Sequence, residues 1–434
     1  MNGKFDVAIV GAGPAGISAA CILAEKGVST VVLERGPYPG SKNMFGGVLY
    51  GRDLAGIIPD FVARGCPIER NIVESRIWYL SQDSGYSVSY RDSAFSDRLQ
   101  HNVFTVGRAR FDRWYADQAV RKGALVVPAT VVTDLLRDSS GRVVGVSTDR
   151  PDGELYARVV ILADGVNSPL AAKTGFRPEV KPENVALAVK EVIALPEEVI
   201  DERFNVEPGQ GITTEILGTT TMGMNGVAFI YTNKNSVSVG IGANLADFTK
   251  AGIKPYEMLE KFKTHPMTAP FIREGTPREY LAHWIPEGGY YTIPKLAGDG
   301  FLIAGDSAML FNALHREGSN LAMTSGKLAA LTVLDCMEKG DFSYRALSGY
   351  ADRLEASFVM QDLRKYRNFP GFLHTHKELF STVPELARFA AREMLTVDNV
   401  PKKKKQRVIW KEIRRRMTLT GMLRLVWDAW RSVR

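Results

Sequence analysis

The first 34 residues change their hydrophobic pattern twice. Lys4–Val10 is an almost unbroken apolar run, residues 14–26 repeat apolar positions at helical spacing, Gly27 stops the helix, and 29–33 is a second, β-branched run. This pattern predicts strand, helix, strand: a βαβ unit. Residues 76–90 hold two segments rich in aromatic and β-branched positions around Gln82, Asp83, Ser84 and Gly85, which predicts a hairpin. Residues 103–123 read as helix-forming. Three strands are expected next, at 130–137, 142–148 and 154–162, separated by Ser139-Ser140-Gly141 and Pro151-Asp152-Gly153. From about 184 to 244 the pattern stays strand-like, with 227–232 and 236–242 joined by Asn233, Lys234 and Asn235. An antiparallel sheet in a second domain is expected there. Residues 300–304 form one more apolar strand, ending at Gly305-Asp306, and 320–337 read as a long helix that resumes the first domain.

The 434 residues suffice for two or three domains, and 45% hydrophobic with 24% charged residues is the balance of an ordinary globular chain. Cys21, Cys66 and Cys336 include no Cys-x-x-Cys pair, which supports neither a disulfide framework nor a Cys-ligated iron–sulfur cluster. A reducing compartment fits. Met1 leads into a strand without a basic and then apolar leader, so no secretory signal is expected and the cytoplasm is the expected location. The uncharged stretch 216–233 contains too much Gly, Thr and Asn for a membrane span. The formal charge of +7 is uneven: from Lys402 onward twelve Lys or Arg stand against Glu412 and Asp428 alone. Such a tail on a near-neutral body points to one localised acidic partner or surface.

Gly11-Ala12-Gly13-Pro14-Ala15-Gly16 falls between the first strand and the first helix. The glycines permit a tight turn and close approach of backbone to a pyrophosphate, and the helix start supplies amides and partial positive charge. Glu34 ends the second strand, where a carboxylate can take ribose hydroxyls. This unit alone leaves NAD and FAD both open. Later, VVILADGVNS at 159–168 and GFLIAGDSA at 300–308 each end an apolar strand with Asp beside Gly, namely Asp164-Gly165 and Gly305-Asp306. Asp306 is placed to accept from a ribityl hydroxyl. Taken singly, either Asp reads equally as a turn or an N-cap.

The three segments, far apart and in this order, resemble the glutathione-reductase-type FAD proteins of the group that includes p-hydroxybenzoate hydroxylase and geranylgeranyl reductase. The resemblance implies FAD. It also implies a cofactor contact from Arg108, which opens the helix of GRARFDRWYADQA; a solvated helix cation is the plainer reading. No second GxGxxG follows Glu34, so no separate NADH site is expected. The implied fold is α/β: a Rossmann-like, glutathione-reductase-type FAD-binding domain (1–75, 101–180 and 295–365), an inserted α+β antiparallel-sheet quinone or substrate domain (76–100 and 181–294), and a helical, basic C-terminal region (366–434).

Two further stretches narrow the resemblance. SKNMFGGVLY at 41–50, and IPEGGY at 285–290 leading through Pro294-Lys295-Leu296 to HREGSNLA at 315–322, are similar to FixC-type subunits of electron-transfer-flavoprotein complexes, relatives of electron-transfer-flavoprotein:quinone oxidoreductase. The likeness covers nearly the whole chain. It implies electrons received from the alpha and beta subunits of an electron-transfer flavoprotein, with a small ferredoxin-like subunit, and delivered through FAD to menaquinone or ubiquinone at the inner face of the cell membrane, in a complex that bifurcates electrons in some members. It also implies cofactor contacts at Arg35, Lys42, Asn43, Met44, Gly46, Gly47 and Val132, with Gly318, Ser319 and Asn320 offering amides at a helix start beside the flavin. No general acid or base is required, and none is nominated. The quinone oxidoreductases carry a C-terminal [4Fe–4S] domain, whereas no cysteine follows Cys336 here, so any such cluster is expected on another polypeptide. A geranylgeranyl-reductase-like enzyme saturating isoprenoid double bonds is the alternative on the flavin motifs. A flavin monooxygenase and a subunit with a purely structural flavin are weaker ones.

The tail is read as a basic segment, 402–416, running into an amphipathic one that carries Leu419, Met422, Leu423, Leu425, Val426, Trp427 and Trp430. Anionic lipid, an acidic partner protein and plain solvent all suit such a surface. Nucleic acid is not expected.

Overall fold

The computed structural model describes residues 4–42, 47–95 and 102–434. The chain divides into two compact units, one of Met1–Asn71, Asp97–Asn184 and Trp284–Lys365, the other of Ile72–Ser96, Val185–His283 and Tyr366–Arg434. The C-terminal residues, read from the sequence as a region of their own, cluster with the second unit.

The first unit is built on a sheet whose strands include β1 (Lys4–Val10), β2 (Thr30–Leu33), β3 (Leu125–Val127), β4 (Val132–Arg137), β5 (Val143–Thr148), β6 (Glu154–Leu162) and β7 (Phe301–Ile303). The parallel order is β7-β6-β1-β2-β3, with Val7 opposite both Val159 and Thr30, and Val160 opposite Phe301. Such a sheet buries both faces, which is why β1 and β2 read as continuous apolar runs. The antiparallel hairpin β4–β5 joins β6 through Val146 and Leu155.

Three helices complete the frame: α1 (Pro14–Glu25), α2 (Arg108–Arg121) and α3 (Ser319–Lys339). Pro14 at the first helical position suits the start of α1, because its missing N–H would have no partner there. Helix α2 is shorter than the expected 103–123. Val103–Val106 is instead a strand paired with Val48–Tyr50, and Gly107 in extended conformation separates it from the helix. The phenolic oxygen of Tyr115 lies 2.8 Å from Ser18 Oγ, tying α2 to α1.

The second unit is an antiparallel sheet. From one edge its strands run Thr276–Pro286, Val185–Ala194, Ser236–Asn244, Gly226–Thr232 and Gln210–Gly218, then Ile68–Leu80, which pairs with Gly85–Arg91. The strand Ile68–Leu80 starts well before the expected 76, leaving the first unit at Asn71. Alternate residues, among them Val189, Ile212, Val237, Val239 and Ile241, form the core with Met258, Leu259 and Phe262 of the helix Pro255–Lys263. The C-terminal residues form the helices Phe369–Thr375, Thr382–Leu395, Lys402–Arg416 and Leu419–Val433. His376 joins this group, with Nδ1 2.7 Å from Glu378 and Nε2 3.1 Å from Asp428 of the last helix. Among the described residues no helix is long and apolar enough to cross a membrane.

Candidate dinucleotide site

The turn after β1 is shaped by clearances that admit only glycine. Gly11 has φ +102°, and a Cβ there would lie 2.3 Å from the Ala163 carbonyl oxygen; one at Gly16 would lie 2.0 Å from the Gly11 oxygen. Gly13 is the N-cap, and no side chain caps the first turn of α1. Its amides and the positive end of its dipole are therefore left for an anion.

Glu34 at the end of β2 is buried and holds this turn. Its carboxylate accepts from Ala12 N at 3.0 Å and from Gly36 N at 2.6 Å. A Cβ at Gly36 would lie 2.1 Å from Ser41 Oγ and 3.3 Å from Lys42 Cγ, so the chain folds back and brings Lys42 to the Glu34 end. Arg35 and Lys42 are exposed there. Asn43, Met44 and Gly46 lie outside the described residues. Gly47 is buried at φ +155°, its carbonyl accepting from Val106 N at 2.8 Å. Val132, buried at the start of β4, follows Thr130, whose amide donates to the Glu34 carbonyl at 2.9 Å.

At the ends of β6 and β7 the two Asp-Gly pairs behave differently. Asp164 Oδ1 accepts from Ser168 Oγ at 2.6 Å and from Ser307 Oγ at 3.1 Å, while Ser307 Oγ accepts from Gly165 N at 2.9 Å. Asp164 thus fastens the turn that leads into the helix Pro169–Lys173. Gly165 has φ +84° and open space where a side chain would stand. Gly305, at φ +63°, donates its amide to Ser325 Oγ of α3, and a Cβ on it would come within 2.9 Å of Ala15 Cβ. That clearance sets Asp306 beside the first turn of α1. Burial pushes the Asp306 carboxyl up to about 6, opposed by the charges of Arg108 and Arg177.

Arg108 opens α2 as expected, but its own fork is engaged. Nε and Nη2 each donate at 2.9 Å to the carboxylate of Asp112, and the pair is buried. Gly318 is the N-cap of α3. Ser319 Oγ donates to the Val48 carbonyl at 3.2 Å, and Asn320 is 4% exposed, its Oδ1 without a partner among the described residues. Ahead of them Asn312 and Glu317 form an isolated bridge that closes the loop 312–317.

Residues the motifs did not flag also build this region. Gly326 sits inside α3, where a Cβ would lie 2.0 Å from the Ala15 carbonyl oxygen, and this clearance lets α3 approach α1. A glycine within a helical pattern was the available signal. Ser307 and Ser325 are buried hydroxyls, and Arg177 is a buried cation with no motif around it.

FAD fits these residues. The turn clears a path for a pyrophosphate, Glu34 stands where a ribose would be held, the Asp306 carboxylate has no hydrogen-bond partner among the described residues, and Asn320 Oδ1 is orphaned. Comparison with known proteins agrees. A model described as "FAD binding domain" matches residues 4–44, "FAD dependent oxidoreductase" matches 99–330, and "ETF-QO/FixC family C-terminal domain" matches 369–434. The chain is 45% identical to Protein FixC of Azotobacter vinelandii over 434 residues, covering all of both chains. It is 44% identical to Protein FixC of Bradyrhizobium diazoefficiens, over 99% of this chain and 98% of that one, and 39% identical to that of Escherichia coli K12, with 99% and 98% covered. Among solved structures, a geranylgeranyl bacteriochlorophyll reductase-like protein from Thermoplasma acidophilum superposes with a TM-score of 0.73 at 20% identity, covering 96% of this chain and 97% of that one. The myxobacterial chondrochloren halogenase gives 0.66 at 20% identity, covering 96% and 91%. These two share the fold. Likeness to the FixC proteins extends over the full length, so the chain belongs to the FixC family: it is an FAD-dependent oxidoreductase.

Proposed function

We propose that this chain accepts electrons from an electron-transfer flavoprotein and passes them to a membrane quinone, as the FixC-like subunit of an electron-transfer complex, in its bifurcating form where the partner flavoprotein splits electron pairs. A small ferredoxin-like subunit is the expected further member. FAD, when bound, supplies the redox chemistry. The residues above do the rest: the first-turn amides of α1 offset pyrophosphate charge, Glu34 takes the ribose, Asp306 accepts from the ribityl chain, and the start of α3 sets positive dipole near the ring.

The observation that carries this reading is the C-terminal surface. On the helix Leu419–Val433, Leu423 is 64%, Val426 69% and Trp427 58% exposed, and Leu419 and Trp430 extend the same stripe. The preceding helix Lys402–Arg416 supplies most of the tail's cations. An exposed apolar stripe beside basic residues suits an anionic lipid surface, each basic residue near it adding about 1 kcal/mol and the tryptophans lying at the interface. A quinone reductase needs that position because its acceptor dissolves in the bilayer.

The test is to purify the chain with its electron-transfer-flavoprotein subunits, reduce the system with NADH and add a short-chain menaquinone analogue while following flavin absorbance. Reduction through the partner alone and reoxidation by quinone support the proposal. Direct reduction of the isolated chain by NAD(P)H, with saturation of an isoprenoid double bond, would replace it with the geranylgeranyl-reductase-like alternative.

A further inference from the structure

Arg177 belongs to no dinucleotide motif, yet it is 3% exposed inside the FAD-binding unit. One arm of its guanidinium is engaged: Nη2 donates to the Val166 carbonyl and contacts Met309 Sδ at 3.5 Å. Nε and Nη1 are buried and have no hydrogen-bond partner among the described residues. Burying a cation this incompletely bonded is costly unless opposite charge stands nearby. The opposite charges acting on it are Asp164 and Asp306. Asp164 is committed to Ser168 and Ser307.

Asp306 differs. Its carboxylate makes no hydrogen bond to a described residue. The groups that α1 and α3 bring against the preceding Gly305, namely Ala15, Ala322 and Ser325, are uncharged, and the charges acting on Asp306 are those of Arg108 and Arg177. Arg108 is locked by Asp112. Asp306 thus feels two cations, Arg108 and Arg177, each of which also acts on a second carboxylate, Asp112 or Asp164, and among the described residues its carboxylate has no hydrogen-bond partner.

We propose that Arg177 is a positioning residue of the flavin site, a buried cation whose charge keeps Asp306 ionised so that it accepts a hydrogen bond from a hydroxyl of the FAD ribityl chain. An ionised acceptor makes a shorter bond, roughly twice as strong as a neutral one. A protonated Asp306 would forfeit it. Arg177 thereby sets the lower pH limit for holding the cofactor.

The experiment measures FAD affinity of the full-length apoprotein by flavin fluorescence quenching from pH 5.5 to 8.5, for the wild type, Arg177→Gln, Arg177→Met, Arg177→Lys and Asp306→Asn, with circular dichroism to verify folding. The wild type is expected to lose affinity as pH falls through about 6. Removing the charge with Gln or Met is expected to move that fall up by about one pH unit. Those variants then bind about fivefold more weakly than wild type at pH 6 and match it above pH 8, by the one-unit shift. Arg177→Lys keeps the wild-type midpoint, and Asp306→Asn abolishes the step. An unchanged profile in Arg177→Gln and Arg177→Met, or a loss of equal factor at every pH, would overturn the proposal. So would failure of both neutral variants to fold, which would make Arg177 a structural cation.

Discussion

Burial raises the Asp306 acid to about 6, above the value of about 3.9 for an exposed aspartate, so the folded chain binds that proton more tightly than the unfolded chain does. By linkage, the group's contribution to stability is fully present below the unfolded value and is lost as pH rises through about 6. At pH 8 the ionised carboxylate therefore destabilises the cofactor-free fold by up to about 3 kcal/mol, the equivalent of a two-unit shift. Asp306→Asn is expected to raise the melting temperature of the apoprotein at pH 8, to change it little at pH 4, and to weaken FAD binding at pH 8. Equal melting of variant and wild type at pH 8 would refute the argument. The two carboxylate oxygens of Glu34 accept from Ala12 N and Gly36 N. Glu34→Gln turns one oxygen into a donor facing an amide. Hydrogen bonds to charged groups are worth about 1.5–3 kcal/mol, so FAD affinity should fall by at least tenfold, read by fluorescence titration.

At the scale of elements, the cofactor site depends on how closely α3 lies against α1. A Cβ at Gly326 would stand 2.0 Å from the Ala15 carbonyl oxygen, and that oxygen belongs to the helix backbone, which cannot move without moving the glycine turn after β1. Gly326→Ala should therefore destabilise the apoprotein by about 1–3 kcal/mol through overpacking and reduce FAD retention on gel filtration. Gly349, in the helix Gly349–Glu355, has nothing within 4 Å of an added Cβ. There the same substitution should be neutral or stabilising, by up to about 1 kcal/mol from helix propensity. The contrast separates a packing effect from a propensity effect. Gly326 lies within a helix and Gly349 opens one, and what distinguishes their surroundings is a neighbour more than 300 residues away along the chain in one case and empty space in the other.

For the whole molecule, the prediction concerns membrane attachment. Leu423→Glu, Val426→Glu and Trp427→Glu combined should abolish cosedimentation with phosphatidylserine-containing vesicles and leave FAD content unchanged, because the substitutions lie in the other unit from the flavin residues. Raising salt to about 0.5 M should weaken wild-type binding, since the basic contribution is screened over a few ångströms at that strength. Undiminished cosedimentation of the variant would count against attachment through the tail. The βαβ unit, the Asp-Gly strand ends and the amphipathic tail were all legible in the sequence, because each is written in spacing over a few residues: strand or helix periodicity, a turn that only glycine can make, a charge run beside an apolar stripe. The boundary at 103–106 was misread: Val103, Phe104, Thr105 and Val106 are all strand formers, but the run is short and leads straight into helix-forming sequence, and its partner Val48–Tyr50 lies more than 50 residues back along the chain. Nor was the division of labour between two similar aspartates legible, in which Asp164 binds Ser168 and Ser307 while the Asp306 carboxylate has no hydrogen-bond partner among the described residues. Sequence determined where chemistry-bearing groups occur along the chain. Tertiary structure decided which of them are already satisfied by protein and which are left for the cofactor, because burial and long-range neighbours set the energy of a polar group.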